Sequence, residues 1–207
     1  MDKSDLRCKD VREESEIDFE YIDYLAQGNS RQVEVYQLLI KMNVMEILRD
    51  FDPILVGTIP IDIDILESDI DIICEVHDFK GFKKLVESHF HLASDFKILS
   101  EMVNGIQSIT INFKIDDWPI EIFAQAIPTI HQNGYKHMKI EHQILNLLDE
   151  DEKKYIRHLR ANGLKTEPAF ATFLEIEGDP YQELLKMYDW DDVRLREFLS
   201  IRIANKK

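Results

Sequence analysis

The chain has 207 residues, 44% of them hydrophobic, and a formal net charge of −15 at pH 7. That length suits one ordinary domain or a small domain with a helical extension, and no apolar run approaches the ~18–20 residues of a membrane span. The first residues are polar and lack the apolar core of a signal peptide, and the two cysteines, Cys8 and Cys74, are too few for a disulfide framework or a metal cluster. We therefore expect a cytoplasmic protein that is not embedded in a membrane.

The acidity bears on partners. A nucleic-acid-binding protein needs a basic surface, and the sequence shows no cluster of basic residues. DNA or RNA is therefore disfavoured, whereas a small molecule, a cationic one included, or a protein suits an acidic surface. Alternatively, the negative charge serves only to keep the protein in solution and indicates no partner.

The first quarter of the chain predicts helices that lead into a strand. Residues 11–26 alternate acids with apolar residues in the manner of an amphipathic helix. Gly28 breaks this pattern, and Ser30 is a candidate N-cap. Residues 32–50 then approximate helical spacing and run directly into an apolar strand that ends at Gly57.

The middle of the chain predicts a sheet. Isoleucines alternate with acids around position 70, which indicates a strand, and residues 78–89 follow as a helix. A further strand is expected within residues 96–102. Residues 106–115 and 118–125 are rich in β-branched residues and flank two aspartates, a pattern that predicts a β-hairpin.

The character of the sequence changes after residue 125. Gly163 is typical of a helix stop and Pro168 of a helix start. Five helices are predicted, over residues 135–148, 151–162, 168–176, 180–188 and 190–203. We therefore predict an α/β domain with N-terminal helices over residues 1–127, and a helical region packed on it over residues 128–207.

One motif carries chemistry. The apolar run before residue 57 ends in Gly57 and Thr58, and Asp69 and Asp71 follow about a dozen residues later. On a strand, positions i and i+2 share a face, so the two carboxylates project together and raise each other's pKa unless a cation lies between them. Carboxylates suit Mg²⁺, and a glycine turn with a hydroxyl suits a phosphate group.

A second pair competes with this motif. Asp62 and Asp64 also alternate with isoleucines, but they begin only four residues after Thr58. That distance is too short for them to face Thr58 across an intervening turn. We interpret them as solvent-facing loop or edge residues, with a metal role as the alternative.

A third acid stands on the predicted hairpin. Glu121 lies between Ile120 and Ile122, within an apolar strand. A buried carboxylate without a partner is costly, so such a residue usually meets a basic side chain or a metal. The alternative is an outward-facing position on an edge strand.

These residues resemble a known superfamily. The motif is similar to the signature of the nucleotidyltransferase superfamily, which has the DNA polymerase beta-like fold. It consists of Val56-Gly57-Thr58, a gap from Ile59 to Ser68, and Asp69-Ile70-Asp71-Ile72. Residues 121–128 and 165–171 resemble, in particular, a bacterial group of nucleotidyltransferase-like domains of unknown function.

The resemblance implies a reaction and a site. It implies transfer of a nucleoside monophosphate from an NTP, ATP foremost, to a hydroxyl group of a small molecule or protein. It implies catalytic and metal-binding roles for Asp69, Asp71 and Glu121, which would hold two Mg²⁺ ions. Glu121 would also help to activate the acceptor hydroxyl.

The donor nucleotide needs further contacts. Gly57 and Thr58 are candidates, with Lys136 and His137, which follow the Glu121 strand after a short connection. Three other basic residues could reach phosphates from the helical region: Arg157, Arg160 and Lys165. For each of them a solvated helix face is the alternative.

Two other functions stay open. The gap from Ile59 to Ser68 has no basic residue, although many superfamily members carry an Arg-Gly pair there. That difference favours a catalytically inactive nucleotide-binding or regulatory protein on the same fold, such as a sensor or a toxin–antitoxin component. The three acids favour an enzyme, and a metal-dependent hydrolase is a third possibility.

Overall fold

A computed structural model describes residues 17–204 and has a mixed five-stranded sheet at its centre. The strands are β1 (Ile54–Val56), β2 (Ile70–Glu75), β3 (Ser94–Val103), β4 (Ile106–Ile115) and β5 (Trp118–Gln125). Their order in the sheet is β1-β2-β5-β4-β3. The β2 and β5 strands run parallel, while the other neighbours are antiparallel. The predicted α/β class and the predicted hairpin are confirmed.

Helices surround this sheet. Those before the hairpin are α1 (Ser30–Lys41), α2 (Val44–Leu48) and α3 (Phe79–Phe90). Those after it are α4 (Asn133–Leu145), α5 (Glu150–Ala161), α6 (Thr166–Leu174), α7 (Pro180–Tyr188) and α8 (Asp192–Ala204), close to their predicted bounds. No helix among residues 17–204 is long and apolar enough to cross a bilayer.

The sheet separates two apolar cores. On one face, Ile70, Ile72 and Cys74 of β2 are buried in a cluster with side chains of α1–α3. On the other face, Ile73 joins a cluster with side chains of α4–α8. Because successive strand residues alternate between faces, Asp71 lies on the same side as Ile73, toward α4–α8. Cys74 is fully buried, while Cys8 lies outside the described residues.

The predicted N-terminal helix is wrong where the structure describes it. Its first residues, 11–16, lie outside the described part of the chain. Residues 17–22 form no helix, and Asp23–Gln27 form a short 3-10 helix. Ile22 and Leu25 are both buried, and the Leu25 backbone N–H donates to the Ile22 carbonyl at 3.0 Å, which is the hydrogen bond of a 3-10 turn.

The single helix predicted for residues 32–50 is divided. Asn43 has a left-handed φ of 55°, which ends α1 and starts α2, and a 3-10 turn follows at Arg49–Phe51. The α1 N-cap is Asn29 rather than Ser30. The Asn29 side chain accepts from the Gln32 backbone N–H, and the Gln32 side chain accepts from the Asn29 backbone N–H, so the two residues form a capping box.

Candidate functional site

The turn after β1 is built against Asp71. Gly57 has a φ of +80°, a conformation that side chains with a Cβ rarely adopt. A Cβ at this position would overlap Asp71 Oδ2 and lie 3.2 Å from Asp71 Cγ. Val56, the last residue of β1, is the register partner of Asp71 in β2. Glycine is therefore the residue type that lets this turn approach the carboxylate.

The parallel pairing of β2 and β5 brings two of the predicted acids side by side. Asp71 and Glu121 are register partners, and Asp69 lies immediately before β2. All three line one cavity. The alternative of an edge position for Glu121 is wrong, because β5 lies between β2 and β4.

Two of these carboxyl groups have raised pKa values, and a neighbouring carboxylate contributes to each. Burial raises the pKa of Asp71 well above its usual range, and the carboxylates of Asp69 and Glu121 raise it further. Burial also raises the pKa of Glu121, again with a contribution from Asp69, while Lys165 opposes it. Groups of this kind either keep protons or share a cation. An all-carboxylate donor set fits a hard divalent cation such as Mg²⁺.

The cavity has a volume of ≈ 290 Å³, comparable to the lower end of small-molecule sites. Strand residues form one wall. The opposite wall comes from α4, α5 and α6, through Gly134, His137, Met138, Glu141, Arg160, Thr166 and Glu167. The lining thus contains five carboxyl groups and one guanidinium. A polyphosphate would be repelled from this cavity unless cations entered with it.

Sequence reasoning missed two acids of the helical wall, Glu141 and Glu167. Glu141 is 3% exposed and lies one helical turn after His137 on α4. Burial raises the pKa of Glu141 well above its usual range, and the Glu167 carboxylate raises it further while Arg160 opposes this. The spacing of four residues between His137 and Glu141 is the signal that could have identified this pair.

The predicted nucleotide-binding residues fall in two places. Gly57, Thr58 and His137 line the cavity. The Thr58 hydroxyl donates to Ser68 Oγ at 3.2 Å. Burial lowers the pKa of His137 to about 4, so its imidazole is neutral at pH 7. Lys136 lies outside the cavity lining, with its Nζ 5.9 Å from the ring centroid of Tyr188.

The gap between Thr58 and Asp69 is held by arginines from elsewhere in the chain. Asp64 Oδ2 accepts from Arg31 Nε at 2.5 Å, and its side chain is 5% exposed, so the prediction that Asp64 faces solvent is wrong. Asp62 is exposed, as predicted, and Asp62 Oδ2 lies 2.9 Å from Arg157 Nη2. Neither aspartate lines the cavity.

The basic group in the cavity comes from the helical region. Arg160, on α5, lines the cavity and is one of three basic residues that the sequence suggested there. Its Nη1 donates to the backbone carbonyl of Ile63, within the gap. The positive charge that the gap lacks is thus supplied across the cavity, by a residue attached to the gap backbone.

Residues 37–187 match the family described as Domain of unknown function (DUF4269). No curated protein matches the chain. A structure of Cid1, described for its RNA terminal uridylyl transferase activity, has a TM-score of 0.50 at 11% identity over 75% of this chain and 53% of that chain. The match to the GLD-2/RNP-8 complex has a TM-score of 0.48 at 13% identity, over 86% of this chain and 75% of that chain.

This chain thus spans about half the length of the Cid1 chain that it resembles. At such low identity the likeness concerns the fold, which is nucleotidyltransferase-like, in agreement with the resemblance seen in the sequence. Roles of single residues do not follow from it.

Proposed function

We propose that this chain, which belongs to the DUF4269 family, is a metal-dependent nucleotidyltransferase. It would move a nucleoside monophosphate from an NTP, ATP foremost, to a hydroxyl group of a small molecule or protein. The observation that carries the proposal is the register pairing of Asp71 with Glu121, beside Asp69 and against the Gly57 turn. In this proposal the region 1–127 holds the donor site and the helices of 128–207 close it.

Asp69, Asp71 and Glu121 would hold the metal, as two Mg²⁺ ions. The raised pKa values of Asp71 and Glu121 support this role, because a divalent cation offsets the cost of keeping neighbouring carboxyl groups ionised. When bound, Mg²⁺ neutralises charge on a triphosphate and lowers the pKa of an attacking hydroxyl.

The chain's own residues would position the reactants. Gly57 and Thr58 line the cavity, where they would face a phosphate group, and Arg160 places a positive charge on the opposite wall. The acceptor oxygen bonds to the α-phosphorus, the bond from that phosphorus to the β-phosphate oxygen breaks, and pyrophosphate leaves. Glu121 would take the proton of the acceptor hydroxyl. Catalysis then depends mainly on orientation and electrostatics.

The acidic cavity and the net charge of −15 support a small-molecule or protein acceptor over RNA. The Cid1 structure is described for an activity on RNA ends, so RNA belongs among the acceptors to be compared. An RNA acceptor would have to overcome repulsion that a neutral or cationic acceptor does not meet.

Pyrophosphate release tests the reaction type. The purified chain would be incubated with Mg²⁺, each NTP, and one of three acceptor classes: small hydroxyl compounds, protein, or an RNA oligonucleotide. We expect release that requires Mg²⁺ and falls about 100-fold or more in Asp71→Asn and in Glu121→Gln. Asp116→Asn, in the exposed β4–β5 turn, is the matched control and should leave release unchanged.

One observation favours the non-catalytic alternative. The cavity lining offers a single guanidinium, and its Nη1 already binds the Ile63 carbonyl. Metal-dependent NTP binding without pyrophosphate release for any acceptor class would support a nucleotide-binding regulator. Release that persists in Asp71→Asn would contradict the proposed site.

A further inference from the structure

The helical wall of the cavity contains a compact set of ligand atoms of its own. His137 and Glu141 are four residues apart on α4, so their side chains lie on one face of the helix. Glu167 extends from the first turn of α6. One ligand atom from each of these three residues lies within 4.8 Å of the other two. Among residues 17–204, these are the three His, Cys, Asp or Glu side chains whose ligand atoms are close enough together to share one metal ion.

Two of these side chains are buried, and each has one polar atom without a hydrogen-bond partner. The exposed fractions of His137 and Glu141 are 8% and 3%. His137 Nδ1 and Glu141 Oε1 are buried without a hydrogen-bond partner, although both residues line the cavity. Buried polar atoms in folded proteins are nearly always paired, so these orphaned atoms point to a ligand in the cavity.

Among the described residues, no close ion pair neutralises these acids. Arg160 and Lys165 are the basic residues whose charges act on Glu167, but among residues 17–204 neither forms an ion pair within 4.0 Å with Glu141 or Glu167. The buried Glu141 carboxylate lies within 4.8 Å of the Glu167 carboxylate. A bound cation would offset the cost of this arrangement.

The donor set differs from that of the sheet wall. A neutral imidazole with two carboxylates is typical of sites for Zn²⁺, Mn²⁺ and related transition metals. Asp69, Asp71 and Glu121 supply oxygen alone, which suits Mg²⁺. We propose that His137, Glu141 and Glu167 form a second divalent-cation site, which prefers a transition metal such as Zn²⁺ over Mg²⁺.

Such a site would have two consequences. It would tie α4 to α6 across the cavity wall. It would also reduce the negative charge that faces the proposed donor site. The inference does not depend on nucleotidyl transfer, because it concerns binding by residues outside the Asp69–Asp71–Glu121 set.

Metal titration of the chelator-treated chain tests this inference. The Asp71→Asn variant serves as the background, so that the proposed Mg²⁺ site is disabled. We expect this variant to bind one equivalent of Zn²⁺ by calorimetry even with millimolar Mg²⁺ present. Co²⁺ used as a probe should give visible absorption bands that disappear when Zn²⁺ is added, and these bands should change in the His137→Gln variant.

His137→Gln and Glu141→Gln, each added to that background, should weaken Zn²⁺ binding at least tenfold. His158→Gln and Glu87→Gln change exposed residues of the same types and are the matched controls. Circular dichroism of each variant verifies that it is folded. The isosteric change of Glu141 to glutamine keeps its volume, so loss of metal affinity would not reflect a cavity.

Several results would overturn the inference. The first is that the Asp71→Asn chain does not bind Zn²⁺. The second is that the added His137→Gln change leaves the affinity for Zn²⁺ unchanged, and the third is that equimolar Mg²⁺ displaces Zn²⁺. Stabilisation of the metal-free chain by an organic ammonium compound, with no effect of Zn²⁺, would instead assign these acids to a cationic acceptor. Because pyrophosphate release is not part of the test, failure here leaves the proposed reaction standing.

Discussion

At the residue scale, Gly57 links the backbone to the candidate site. Both Gly57 and Gly105 have positive φ, at +80° and +78°, but an added Cβ would collide with Asp71 at the first and meet nothing within 4 Å at the second. Alanine at either position should cost about 1–2 kcal/mol for the backbone conformation. Gly57→Ala should cost more, because the Asp71 carboxylate must also move.

Urea unfolding of Gly57→Ala and Gly105→Ala measures this difference, and a thermal shift with Mg²⁺ and ATP measures its effect on the site. We expect the nucleotide shift to disappear in Gly57→Ala and to persist in Gly105→Ala. Equal stability and equal nucleotide shifts in the two variants would show that the turn does not constrain Asp71.

The residues of the sheet wall could be selected from the sequence because their pattern is local. Asp69 and Asp71 stand two apart at the start of a strand, and Glu121 interrupts an apolar strand. Their catalytic and metal-binding roles stay predictions. The spacing of His137 and Glu141 is also local, but a glutamate within a helix is usually solvated, and only tertiary packing brings Glu167 beside them.

At the element scale, the gap between Thr58 and Asp69 depends on arginines from two helices. Arg31, on α1, pairs with the buried Asp64, binds the Ile65 carbonyl and stacks on Trp118 at 4.5 Å. Arg157, on α5, pairs with Asp62, whose side chain is 58% exposed. A buried pair loses much more than an exposed one when a partner is removed, because a buried charge is left uncompensated.

Arg31→Ala should therefore lower the free energy of unfolding by about 3 kcal/mol, and Arg157→Ala by less than ~1 kcal/mol. Urea denaturation of both variants measures the contrast. Arg31→Ala combined with Asp64→Asn should recover part of the loss, because the amide removes the unpaired charge. Equal losses for the two single variants would contradict the assigned burial of Asp64.

The elements with regular apolar periods were predictable, and those set by tertiary contacts were not. Apolar residues with a period of two identified β2 and β5, and apolar residues with a helical period identified α4–α8. The break at Asn43 depends on a left-handed residue that the helical pattern of residues 32–50 conceals. The N-cap at Asn29 depends on the reciprocal bond from Gln32, and Ser30 is an equally suitable residue type.

At the scale of the whole molecule, charge connects the fold to the proposed activity. The chain carries a net charge of −15, and the cavity brings five carboxyl groups together with one guanidinium. The fold class was predictable because the motif and the alternating strands are local patterns in the sequence. The composition of the cavity was not, because it depends on how α4–α6 pack over that sheet.

The central claim is that the chain has a metal-dependent nucleotide site at these carboxylates. Differential scanning calorimetry with ATP, in the presence and absence of Mg²⁺, tests it most directly. Mg²⁺ and ATP together should stabilise the wild-type chain by about 2.7 kcal/mol at a hundred times the Kd, and ATP with chelator should not. Asp71→Asn should abolish this stabilisation, whereas Asp116→Asn should keep it. Stabilisation by ATP that persists without metal, or in Asp71→Asn, would contradict a metal-dependent nucleotide site at these carboxylates.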